Sequence, residues 1–342
     1  MALKSVVGRA LFGACILVVV FAGPASADPA KPGKYTSTVT RIDPATSGIH
    51  VKVVGGDGFL DLEVDRGHDV VVKGYAGGPW LHVRPDGVVE ENQLSPATFQ
   101  NANRYARVTV PDGVTSDTEQ NDPPQYKQVG TGGAFAWHDH RIHWMSPTPP
   151  PDVKEGDLVF PDWMVPMTVD GNDVVVHGQL VLNHSVSSIP WFALGVLVAA
   201  GAVFLGKGKS TFVAAVAVFA ASVAALQVGI IAYRSIPSVA GPNPLEIVLP
   251  AVATVAGLLA VLLHRKPLGV VATLASVAAL SGWAFMRIAV LFNPVLPTNE
   301  PFGLDRGATV AALGASIAAA VLAVRSGGLV FHLPDLDFGE EE

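Results

Sequence analysis

Cysteine is almost missing from this chain. There is one in 342 residues, Cys15, and it stands inside the apolar stretch near the first residue. The rest of the sequence can form no disulfide, no thiolate metal site and no cysteine nucleophile. Charge is sparse too, at 15% of residues against roughly 25% in an ordinary soluble chain. Basic charge is short where phosphate binding would need it: residues 28–189 hold 12 Lys and Arg against 21 Asp and Glu, −9 net. That balance argues against nucleic acid as a partner. No interval in this region is long and amphipathic enough for a βαβ crossover. No G-x-S-x-G elbow supplies a serine nucleophile, and the glycines at 55, 56 and 58 precede no helix that would make them a phosphate loop. The reading therefore leans away from an enzyme.

What the sequence has in quantity is apolar residues, half of the total. The first 27 residues read as a secretory signal: Lys4 and Arg9, an apolar run from Ala10 to Ala22, then Ala25-Ser26-Ala27 as an A-x-A cleavage site. Cys15 lies near the start of that run, so a lipoprotein reading fails. After residue 190 come long apolar runs near 191–206, 211–233, 245–264, 268–292 and 307–324, each close to the roughly 20 residues that cross a bilayer. Lys207 and Lys209 fall in one break, and His264, Arg265 and Lys266 in the next but one. The positive-inside rule puts both breaks in the cytoplasm, with residues 28–189 outside and the acidic tail 326–342 inside. Ionisable residues within the spans are few. Arg287 and Glu246 sit near the outer boundary, where Arg287 can snorkel or pair with Glu246. Gly314, Ala315 and Ala318 are small residues that let helices approach. The helices read as an anchor or packing surface, with no sign of active transport.

Residues 35–184 alternate with a period of two. Strands are expected at 49–54, 59–64, 70–75, 80–83, 105–110, 134–140, 164–169 and 174–182, separated by Gly/Asp/Pro turns. Many short strands at this spacing predict an antiparallel β-sandwich of immunoglobulin-like or cupredoxin-like kind. The domain plan is thus signal peptide 1–27, extracytoplasmic β-sandwich 28–189, a transmembrane domain of about five helices at 190–325, and the cytoplasmic tail.

One cluster stands apart: Trp137-His138-Asp139-His140-Arg141-Ile142-His143-Trp144-Met145. On a strand, His138 and His140 share a face and can offer two imidazoles to one metal. His143 joins them only if a bulge or turn follows His140. Without cysteine, a blue-copper or thiolate-bridged centre is excluded, leaving copper or zinc on histidine. Met145 and Met164 lie just downstream and are copper-tolerant thioethers, so the candidate ligand set is His138, His140, His143, Met145 and Met164, with Asp139 orienting an imidazole. The same residues also make an ordinary structural cluster, with Met145, Met164 and Met167 packing on Trp144 and Trp163 and the histidines bonded to Asp139, Asp162 or backbone. Glu90 and Glu91, being adjacent, point to opposite faces of a strand and do not form a catalytic pair.

Residues 74–81 (GYAGGPWL), 86–88 (DGV), 92–97 (NQLSPA), the HDHR-x-HWM block and 162–166 (DWMVP) resemble an actinobacterial family of exported membrane proteins. The resemblance spans about 35–184, with helices behind it. It implies this architecture and an envelope location, and carries over no catalytic or binding residues. Two functions stay open: a membrane-held metal module, copper favoured over zinc, or a non-catalytic envelope scaffold whose Trp/Met/Pro segment 144–167 meets a protein partner.

Overall fold

The computed structural model describes residues 29–326. The expected signal peptide with Cys15 and the acidic tail from Gly327 onward lie outside the described residues. Ten strands form the N-terminal unit: β1 (Tyr35–Asp43), β2 (Ile49–Val54), β3 (Phe59–Val64), β4 (Val70–Lys73), β5 (Pro79–Val83), β6 (Val89–Asn92), β7 (Tyr126–Gly130), β8 (Ala134–Trp137), β9 (Leu158–Val169) and β10 (Asn172–Leu182). Two short helices, α1 (Ala97–Gln100) and α2 (Ser116–Asn121), lie between β6 and β7. Every pairing is antiparallel. Seven strands run in the order β1-β10-β9-β4-β5-β6-β7, and β2-β3-β8 make a second sheet.

Alternation explains how the two sheets close on one core. Val70 and Val72 of β4, Leu81 and Val83 of β5, and Val165, Met167 and Val169 of β9 all turn inward. Leu60, Leu62 and Trp137 from the smaller sheet meet them in a single buried cluster. On β10, Gly178 makes room for Trp163. A Cβ at 178 would stand 2.1 Å from the Trp163 ring and 2.3 Å from the Thr38 carbonyl. The freed space lets the Trp163 Nε1 donate to Ser37 Oγ at 2.9 Å.

Three expected strands need correction. Residues 105–110 form none, because Asn103 Oδ1 accepts from the backbone N–H groups of Tyr105 and Arg107 (3.0 and 3.1 Å) and Ala106 takes φ +51°. An Asx-type turn of this kind competes with extended pairing. The strand expected over 70–75 stops at Lys73 and the one over 134–140 stops at Trp137. Strands β1, β6 and β7 are additions.

The compact β unit also takes in two connections from the helical half, Ile231–Pro244 and Phe292–Phe302. Gly33 and Val295 exchange backbone hydrogen bonds at 2.9 and 3.1 Å, Val239 packs on Phe59 and Ala136, and Asn299 N–H donates to Ser235 Oγ.

The second unit is helical: α3 (Ile189–Leu205), α4 (Ser210–Ser235), α5 (Leu245–Leu262), α6 (Pro267–Met286) and α7 (Phe302–Arg325). Four of them, α4 to α7, are long and apolar enough to cross a membrane, and α3 is a shorter apolar helix of 17 residues. Small residues set the helix spacing. A Cβ on Gly229 would meet the Glu246 carbonyl at 1.9 Å, one on Gly257 the Phe219 Cα at 2.9 Å, and one on Gly314 the Gly195 carbonyl at 2.4 Å. Close backbone approach is how membrane helices gain packing without a hydrophobic drive between them.

Helix α7 starts five residues before its expected position, and this brings Asp305 and Arg306 into its first turn. Arg287, at the C-cap of α6, is buried and donates to Glu246 in the first turn of α5 at 2.5 Å and to Asp305. Each charge complements its helix end: carboxylates at two N-termini, a guanidinium at a C-terminus. Arg306 Nε donates to the Val290 carbonyl at 3.0 Å. The expected Arg287–Glu246 pair is therefore present, but as part of a larger knot. Arg287→Met leaves two carboxylates uncompensated and is expected to destabilise the helical unit by about 3–5 kcal/mol. The triple variant Glu246→Gln/Arg287→Met/Asp305→Asn is expected to recover most of that loss. Unfolding of both proteins in bicelles checks this.

Candidate functional site

The histidine block leaves its strand at Trp137 because Asp139 gathers the local donors. This carboxylate is fully buried and accepts four hydrogen bonds: Trp137 Nε1 at 2.8 Å, and the Arg141 backbone N–H, Nε and Nη2 at 3.0, 2.8 and 2.6 Å. Burial alone would raise its pKa. The Arg141 charge, with the hydrogen bonds from Arg141 and Trp137, outweighs burial and holds the group below the usual carboxylate range. Asp139 therefore serves Arg141 and Trp137, where the sequence assigned it to an imidazole.

With the strand ended, His138 and His140 bond to different segments, and His143 stays beside His140. His138 Nδ1 donates to the Gly58 carbonyl at 2.5 Å while its ring stacks on Phe59 at 4.1 Å. His140 Nε2 donates to the Asn103 carbonyl at 3.0 Å, and its ring lies parallel to Tyr75 at 5.4 Å. His143 meets His140 edge-on at 5.5 Å. Its Nε2 is buried without a hydrogen-bond partner, and burial lowers its pKa to about 3. Met145 is exposed. Met164 is exposed as well, on the outer face of β9 opposite His177. Asp162 pairs with His177 and Arg41. Among the described residues no three His, Cys, Asp or Glu side chains are placed to hold one metal ion.

The other singled-out segments converge on the same corner. The 74–81 loop wraps Glu119 of α2, which accepts from Ala76 N–H at 2.9 Å and from Ser95 Oγ at 2.5 Å. Cβ atoms at Gly74 and Gly78 would lie 2.4 and 2.0 Å from Glu119 atoms, so both positions need glycine. Asn92 ties β6 to this loop through Nδ2 to the Pro79 carbonyl at 2.9 Å, and its Oδ1 accepts from Leu94 and Gln125. From the block, His140 N–H donates to Tyr75 Oη at 3.0 Å, and Tyr75 donates in turn to Asn101 Oδ1 at 2.5 Å.

Two cavities flank the corner, each of about 290 Å³. The first is lined by Tyr35, Asp57, Arg104, His138 and Trp144. Arg104 holds Asp57 at 2.5 Å, and the buried Tyr35 hydroxyl has no hydrogen-bond partner. The second is lined by Glu91, Thr98, Asn101, Lys127 and Gln128 against Phe135 and Trp137. The sequence reading missed this second group, although its signal was present. Glu90 and Glu91 do point to opposite faces, so one of them must share a face with Val89. Cross-strand neighbours confirm which: Glu91 lies opposite Leu81 and Lys127, and Glu90 opposite His82. Burial on the core face raises the Glu91 pKa to about 7, although Lys127 opposes the shift.

A scan against protein-family models and searches of curated proteins and of solved structures return no match for this chain.

The Glu91 shift has a sign that can be measured. Its folded pKa lies above the ordinary carboxyl value of 4.5, so the folded state holds the proton more tightly. Its contribution is fully present below pH 4.5 and is lost as pH rises through 7. Relative to the native protein, Glu91→Gln is therefore expected to gain up to about 2–3 kcal/mol between pH 4.5 and 8. Melting temperatures of the two proteins across that range check the sign.

Proposed function

We propose that this is a non-catalytic, membrane-anchored binding protein of the cell envelope, whose β unit faces outward and whose histidine block is a structural brace. One observation carries the reading: Asp139 is saturated by Arg141 and Trp137, and His138 and His140 each hold a backbone carbonyl of a different segment. A brace of this kind fixes the corner from which the 74–81 loop and both cavities are built. The resemblance to exported actinobacterial membrane proteins fits the same role.

The outward orientation is supported by the charges of the turns. The two connections that belong to the β unit are 231–244 and 292–302, while Lys207, Lys209, Arg265 and Lys266 sit in the short turns at the other ends of the helices. With five crossings and the positive-inside rule, those basic turns face the cytoplasm and the β unit faces out. The scarcity of cysteine makes this easy to test in intact cells. A cysteine introduced as Asp117→Cys is expected to react with a membrane-impermeant maleimide, and one introduced as Lys209→Cys only after permeabilisation. The reverse pattern inverts the topology.

The metal reading keeps one supporting feature: the unpartnered Nε2 of His143, with the His140 ring beside it. Copper, and zinc after it, suit such nitrogen donors. Titration of the full chain in nanodiscs, prepared without a histidine tag, separates the two. The brace predicts no stoichiometric copper or zinc binding below about micromolar, and lower melting temperatures for His138→Ala and His140→Ala. Stoichiometric binding lost in both variants, at unchanged stability, replaces the brace with a metal site.

A further inference from the structure

The first cavity carries a charge opposite to that of the unit around it. Residues 28–189 sum to −9, yet the accessible part of this cavity's lining holds Lys31, Lys34 and Arg104. Lys31 and Lys34 are exposed, and the Arg104 side chain is 23% exposed. The carboxylate in the lining, Asp57, is buried to 4% exposure and bonded to Arg104 at 2.5 Å. Its charge is therefore offset within the wall, and what faces a ligand is cationic. A concave site with low-dielectric walls concentrates such a field. Glu155 lies within the field of Lys34 but is itself held by the Ser185 N–H and hydroxyl.

The donor set narrows the anion. Arg104 turns Nη2 to the Asp57 carboxylate and Nη1 to the Asp57 carbonyl at 3.5 Å, so both terminal nitrogens are already engaged by one residue. Lys31 and Lys34 are two separate point charges. Such a set suits an anion with several oxygens spread in three dimensions better than it suits a flat carboxylate, which a free guanidinium fork would match. Tyr105 and Trp144, both half-buried, add aromatic surface beside the cations. The cavity holds about 290 Å³, more than a bare phosphate fills, and so has room for the group that a phosphate esterifies.

We propose that this cavity binds a phosphate ester, with Lys31 and Lys34 on the phosphate oxygens and Tyr105 and Trp144 against the esterified group. Arg104 adds its charge from the wall. Two sources of that group are within reach. One is a soluble phosphate ester of the envelope space. The other is the headgroup of a membrane phospholipid. Asn293 lines the cavity and stands seven residues beyond Met286, the last residue of α6, so the chain keeps this wall within roughly 25 Å of a helix end. The inference rests on the reading of the β unit as an outward-facing binding module, and names its ligand class. It does not depend on whether the histidines bind metal, since His138 enters the lining only as a buried ring stacked on Phe59.

The test uses the full chain in nanodiscs. Glycerol 3-phosphate is titrated by calorimetry, with acetate as the carboxylate control. A second set of discs contains phosphatidylglycerol, and phospholipid retained by the protein after release from the discs is read by native mass spectrometry. Binding is expected to be saturable, weakened about fivefold by Lys31→Gln and by Lys34→Gln, and more than about twentyfold by Lys31→Glu/Lys34→Glu. Lys154→Gln, at an exposed lysine outside the cavity, is expected to change nothing. Melting temperatures check that these surface variants stay folded. Glycerol 3-phosphate binding with this pattern assigns the soluble source. Retained phospholipid that is lost in the double variant, without binding of the soluble ester, assigns the lipid source. Neither one bound by the folded native protein up to about 10 mM of the ester overturns the proposal. So does acetate binding as tightly as the ester, or binding unchanged in Lys31→Glu/Lys34→Glu. Any of these with the maleimide pattern intact removes the ligand class alone, whereas a reversed maleimide pattern removes the outward-facing unit.

Discussion

The arrangement of the β unit depends on one buried carboxylate. Asp139 has no exposure and four donors around it, and the donors do two structural jobs. The bond from Trp137 and the bond from the Arg141 backbone end β8 and start the turn. The bonds from the Arg141 side chain pull the guanidinium inward, where its Nη1 reaches the Lys73 carbonyl at 3.2 Å and its Cζ lies over the Tyr75 ring, 5.1 Å from the ring centroid. A buried charge is tolerable only when paired and fully hydrogen-bonded. Asp139 and Arg141 satisfy each other, and the geometry that results sets the positions of His138, His140 and Tyr75. A run that reads as a ligand set in one dimension becomes a charge-centred turn in three.

The helical unit solves the same problem in a different solvent. Arg287 lies between Glu246 and Asp305, and Arg306 follows Asp305. In the β unit the charges organise a turn; here they organise three helix ends whose dipoles already favour those signs. Neither knot is a stability device in the simple sense, since a well-packed apolar core of the same volume would do as well or better. What both supply is a unique arrangement, because a charge left out of place is far more costly than a misplaced leucine. Glycines at 229, 257 and 314 then let the helices close to the distances those charges require.

Much of this was legible in the sequence, and the exceptions have physical causes. Period-two alternation located β2 and β3 to the residue, because both faces of those strands are cleanly patterned. It failed at 105–110, where apolar alternation is present but Asn103 captures the backbone first. It failed again at 138–140, where Asp139 does the same. In both cases a short polar side chain outcompeted the ladder, a local event that hydrophobic periodicity does not record. The apolar runs located the helices well, since a membrane span is read from composition. The start of α7 was missed because Asp305 and Arg306 look like loop residues until Arg287 is seen beside them. The burial of Glu91 was missed for a subtler reason: which of two adjacent carboxylates shares the face of Leu81 is set by cross-strand register, and hydrophobic periodicity does not record it.

The resembling segments acquire a common explanation in this fold. Gly74 and Gly78 admit Glu119, Asn92 and Ser95 tie β6 and its following turn to that loop, and the block sends His140 and Arg141 against Tyr75. Segments scattered over some seventy residues of sequence thus form one hydrogen-bonded corner. Its output is directional: a fixed hydroxyl on Tyr75, and through it a fixed amide on Asn101. The buried Asp139–Arg141 pair and the Tyr75–Asn101 hydrogen bond are in this sense one structure, joined through the His140 backbone N–H.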